Sequence, residues 1–221
     1  MKHVTLTICA AAMLLFSCNN DGEKTTEAKK DSTATVAETV PAKENTAPAP
    51  PPDSAAMMKA WEVFATPGDQ HKWMAKMNGT WEAEVSQWMD PAAPPTKVKA
   101  TTVQSSTMGG RYVIGKFTSS MMGMPMEGLS TMGYDNGKKL FTSTWIDNMG
   151  TGIVHMTGTY DERTKTLSLK GQQTDPMTGK DCDIREEMTV IDDNTYSMAM
   201  FGPGLDGKEM KFMEGTFKRK K

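Results

Sequence analysis

Glu186 sits where a strand pattern directs its carboxyl group inward. In "CDIREEMTVI" the alternate positions Cys182, Ile184, Glu186, Met188 and Val190 share one apolar face of an extended segment. An inward carboxylate must find a partner or take up a proton. Arg111, which opens the otherwise apolar "RYVIGKF", is the expected partner across the fold. Such a pair would orient the polar end of a ligand, and the competing reading is a purely structural ion pair.

A second cluster is sulfur chemistry. "SSMMGMPMEG" brings Met121, Met122, Met124 and Met126 within six positions. Thioethers are soft ligands for Cu(I). As one extended strand, Met122, Met124 and Met126 share a face, with Met121 opposite. The whole chain holds 21 methionines, so the excess is global, and Met is also an adaptable filler of cores and binding surfaces. Gly123 and Pro125 bend the segment. The expectation is a strand and bend at the rim of the fold, with an apolar ligand lining as the second reading and a copper site as the third.

Other chemistries find little support. There is no nucleophile elbow, no HExxH and no P-loop, so an enzyme is not expected. Cys182 lies between Asp181 and Asp183, which would raise its thiol pKa, and reads as a small buried residue. Asp181, Asp183, Asp192 and Asp193 lack the spacing of a calcium loop and read as turn and strand-end residues. The net charge is −2 and the only basic run is the terminal "FKRKK", so nucleic acid is not an expected partner.

The elements that must hold these residues are mostly strands. Two short helices come first: "AAMMKAWEVF", capped by Asp53 or Ser54, and "QHKWMAKM", capped by Asp69 and stopped at Asn78-Gly79. The period then changes to two, with turn residues every eight to twelve positions or so. The segments open at "GTWEAEVSQW" and close at "EMKFMEGTFKR", with Gly109-Gly110 and Asp135-Asn136-Gly137 among the hairpin signals. About ten short antiparallel strands with one apolar face must close on themselves, and an up-and-down β-barrel is the economical solution. The helices would plug or cover one end.

Gly79-Thr80-Trp81, opening the first strand after a short helix, resembles the Gly-X-Trp signature of lipocalins and the calycin group. That resemblance implies a Trp closing the barrel base beneath a basic residue of the last strand, Lys218 or Arg219. "HKWMAKMNGTWEAEVSQWMDPAAPP", "SSMMGMPMEGLSTMGYDNGKK", "STWIDNMGTG", "GTYDERTKTLSLKG", "TDPMTGK" and "DGKEMKFMEGTFKRK" together resemble domain-of-unknown-function family 1579. The resemblance implies a mainly β, calycin/lipocalin-like barrel in secreted bacterial proteins and carries over no catalytic residue. Some calycin barrels bind heme through one axial His, which makes His155 a candidate ligand; no cofactor is otherwise expected.

The N-terminus reads as a bacterial lipoprotein signal. Lys2 precedes a short apolar run from Val4 to Phe16, and Leu15-Phe16-Ser17-Cys18 forms a lipobox. Residues 1–17 are the expected signal peptide and Cys18 the lipidation site. Residues 18–56, rich in Ala, Thr and Pro, form a disordered tether, and residues 57–221 the barrel domain. The expected location is the outer membrane, reached through the lipid anchor. The expected function is noncatalytic binding of a small apolar ligand, lined by Trp81, Trp145, Met122, Met124 and Met126 with Arg111 and Glu186 as polar contacts. Cu(I) handling through Met121, Met122, Met124 and Met126, or a protein-interaction scaffold, are the alternatives.

Overall fold

The computed structural model describes residues 53–204 and 206–221. The expected signal peptide, the lipidation site at Cys18 and the tether up to residue 52 lie outside the described residues.

Helix α1 (Ser54–Ala65) starts ahead of the expected domain boundary at 57, because Asp53 caps it by accepting from the Ala56 N–H at 2.7 Å. None of its residues is buried; Met57, Met58, Trp61, Val63 and Phe64 are all exposed. Its end is gripped from the barrel. Asn136 Nδ2 donates to the carbonyls of Phe64 and Thr66, and Arg111 Nη2 to that of Ala65, satisfying acceptors that a helix C-terminus leaves free. Helix α2 (Asp69–Ala75) is capped by Gly68 rather than Asp69, with His71 Nδ1 accepting the Gly68 N–H at 3.0 Å.

Ten strands follow: β1 (Gly79–Gln87), β2 (Thr96–Thr107), β3 (Tyr112–Met121), β4 (Met124–Asp135), β5 (Leu140–Asp147), β6 (Val154–Asp161), β7 (Thr166–Thr174), β8 (Asp181–Asp192), β9 (Thr195–Pro203) and β10 (Glu209–Arg219). Each pairs antiparallel with its sequence neighbours, and β1 pairs with β10, so the meander closes into an up-and-down barrel. Closure leaves the sheet without free edges.

The turns are built by aspartates. Asp90, Asp135, Asp147, Asp161, Asp175, Asp192 and Asp206 each accept the backbone N–H two residues on, at 2.8 to 3.0 Å. The two turns without such an Asp rest on positive φ, which several of the Asp turns also use. The β2–β3 connection is a short 3-10 turn, Met108–Gly110, and the β3–β4 hairpin turns on Met122 and Gly123, at φ 50° and 77°.

One end of the barrel is sealed. Trp81, Phe141, Leu167, Tyr196 and Phe217 are buried there with Met74 and Met77 of α2 and the turn after it. Trp73 packs edge-on against Phe141 and tilted against Tyr160, and His71 sits edge-on to Tyr134. Helix α2 is therefore the plug, while α1 stays outside.

Candidate functional site

Above this plug the interior changes character. The inward-facing Ala83, Val98, Phe117, Met132, Met198 and Met213 pack against the core yet keep accessible surface. Among them stands Glu186. On β8 it lies between the buried Ile184 and Met188, with Leu169 of β7 and Met200 of β9 as its register partners. Strand parity thus directs it inward, as the sequence pattern requires. Protein surrounds the side chain, and the residue is half-buried rather than fully sealed.

Among the described residues no group hydrogen-bonds to the Glu186 carboxyl. Burial alone pushes its pKa up to about 7, with no cation offsetting it. Its polar neighbour is Tyr196, whose hydroxyl pKa is raised by burial first and by the nearby Glu186 second. Tyr196 Oη accepts a hydrogen bond from Gln104 Nε2 across the barrel at 3.3 Å, which leaves its own proton free to donate.

Arg111 does not meet Glu186. It is exposed at the β2–β3 turn, where it donates to Met108 and Ala65 carbonyls. Position in the turn, not the apolar strand that follows, decides where its side chain goes. Trp81 is also no ligand surface. It is 1% exposed, its Nε1 donates to the Met77 carbonyl at 2.8 Å, and its ring is covered by the Arg219 guanidinium at 4.1 Å and by Tyr196 at 4.8 Å. Arg219 is the basic residue over this Trp, and it also donates to the carbonyls of Lys76, Asn78 and Asp193. Lys218 faces out.

The methionine cluster is divided by a turn. Met121 ends β3 and pairs across the hairpin with Met124, so these two share the inward face with Met126, which is 8% exposed. Met122 sits in the turn and is 67% exposed. The expected trio of Met122, Met124 and Met126 is therefore replaced by Met121, Met124 and Met126, and the four sulfurs do not share one face. Trp145 of β5 also points inward on this side. Its ring lies edge-on to Phe117 at 5.6 Å, above the bare Cα of Gly128, and its Nε1 donates to Asp147 at 2.6 Å. These residues form the rim opposite the plug.

His155 is exposed on the outer face of β6, opposite the buried Met156, and cannot serve as an axial ligand in the lumen. Cys182 is a free, half-buried thiol whose pKa is raised by burial and by Asp175. A concavity of about 850 Å³ lies on the outer wall over β1, β2 and β10. Its Glu82 and Glu84 are paired with Lys220 and Lys97, so the lumen, with its unpartnered acid, is the candidate site.

The fold has solved relatives. Rv2717c from M. tuberculosis superposes with a TM-score of 0.55 at 11% identity, over 71% of this chain and all of that one. The S-type phycobiliprotein lyase CPES from Guillardia theta gives 0.50 at 9% identity, over 77% of this chain and 99% of that one. At such identity the likeness is one of fold. No curated protein matches the chain. A profile described as "Protein of unknown function (DUF1579)" matches residues 66–219, and the chain belongs to that family.

Proposed function

We propose that this DUF1579 protein is a noncatalytic binder of a small apolar molecule, held in the upper half of the barrel lumen with Glu186 as its polar contact. The observation that carries the reading is a closed barrel, plugged at one end, whose interior holds one carboxyl group with no partner among the described residues. Burial disfavours the charged form of this carboxyl group, yet its oxygens are not sealed away from accessible space, which suits it to meet a ligand. Met126, Phe117, Trp145, Met198 and Met213 supply an apolar wall of the kind ligand pockets have. The lipobox at Cys18 supports anchoring of the protein to the outer membrane.

Native mass spectrometry of the protein extracted from its own membrane tests both parts. The expected spectrum has a covalent lipid mass that survives denaturation and a second, organic mass that denaturation removes. A protein without lipid mass removes the anchor. A protein free of any organic adduct that also fails to bind added apolar probes removes the lumenal site.

A further inference from the structure

We infer that the lumen is built for an apolar amine, a hydrophobic molecule with one protonatable nitrogen that pairs with Glu186. Resting on the lumenal reading above, this names the class of molecule the site takes.

The surroundings of Glu186 decide between ligand classes. Its register partners are Leu169 and Met200, and its neighbours on the same face are Ile184 and Met188; none carries charge. Each nearby cation is committed elsewhere. Arg185, next in the chain, lies over the Phe201 ring and pairs with Glu187 and Glu209. Lys211 pairs with Glu214. Arg219 is held at the plugged end by three backbone carbonyls, with the Trp81 ring against it. Arg111 is outside the barrel.

A carboxylic ligand would therefore meet an acid with no cation facing it among the described residues, and two carboxylates in one apolar space repel. An alcohol would gain one neutral hydrogen bond. A protonated amine gains a charge-assisted bond to Glu186, which is about twice as strong as a neutral one. The Tyr196 hydroxyl is near enough for Glu186 to raise its pKa and accepts from Gln104, so it keeps its proton and adds no second anion beside the carboxylate.

The protons balance. The ammonium enters with its own proton, and a neutral Glu186 releases one to solvent as the N⁺–H···O⁻ pair forms. Because the free carboxyl titrates at about 7, affinity for the ammonium rises from pH 6 to pH 8 while the cost of deprotonation falls.

Isothermal titration of the purified protein with octylamine, octanol and octanoate, at pH 6 and pH 8, tests the assignment. Octylamine should bind at least tenfold tighter than octanol at pH 8 and several-fold tighter at pH 8 than at pH 6. Octanoate should be the weakest of the three. In Glu186→Gln the preference for octylamine over octanol should disappear at both pH values, and with it the pH dependence of octylamine binding. Equal binding of amine and alcohol, or tighter binding of octanoate, with Glu186→Gln silent, overturns the amine and leaves lumenal binding standing. No binding by any of the three overturns the lumenal reading and the amine with it.

Discussion

At the scale of single residues, Glu186 couples the candidate site to stability. Its folded pKa is raised from 4.5 to about 7, so the folded state holds its proton more tightly than the unfolded chain between those values. The associated stability is fully present below pH 4.5 and is lost as pH rises through 7. Glu186→Gln, which stays neutral, should therefore match the parent protein at pH 3.5, below both pKa values. At pH 9 it should be more stable by up to about 3 kcal/mol, the linkage value of such a shift. Urea denaturation at the two pH values checks this, and equal stability at both would mean that the carboxylate already has a partner. The inward aim of Glu186 was legible from period-two alternation alone. Its isolation was not, because whether Arg111 reaches it depends on a turn conformation. The Ala65 carbonyl at the end of α1, which draws Arg111 outward, leaves no mark in the local sequence. Trp81 shows the same limit: an aromatic on the inward face reads equally as plug or as ligand wall until the lid above it is known.

At the scale of elements, all ten strands were legible, since each has one wet and one dry face and most connections carry an Asp that caps its own turn. The β3–β4 hairpin was not read, because Met122-Gly123 lacks the Asn or Asp that marks such turns. A Met at φ 50° occupies a region that costs L-residues roughly 1–2 kcal/mol. Elsewhere glycine is required by space. A Cβ on Gly158 of β6 would lie 1.8 Å from the Ser168 carbonyl oxygen of β7, a backbone atom that cannot turn aside. Gly158→Ala should cost about 2–4 kcal/mol by forcing those strands apart. Thermal unfolding followed by circular dichroism measures it, and a loss below about 0.5 kcal/mol would show that β6 and β7 pair more loosely than the register indicates.

At the scale of the whole molecule, the barrel is fastened where its first and last strands meet. Arg219 ties β10 to the end of α2, to the start of β1 and to the β8–β9 turn, and stacks on Trp81. Arg219→Ala removes the ring contact and leaves three carbonyls short of a donor, an expected loss of about 2–4 kcal/mol. Arg219→Lys should restore only part of it, because an ammonium lacks the planar fork. Chemical denaturation of both variants checks this, and full rescue by Lys would reduce the role of Arg219 to its charge. Asn78 and Arg219, which meet at this junction, are 141 residues apart in sequence. A chain made from its N-terminus must therefore keep β1 unpaired on one side until β10 has emerged. The ring cannot grow one hairpin at a time to a protected intermediate, since every partial meander exposes two open edges. Closure over so long a loop is a slow, late step. The hazard for this protein thus lies in the interval before closure, when its strands are exposed to one another's copies.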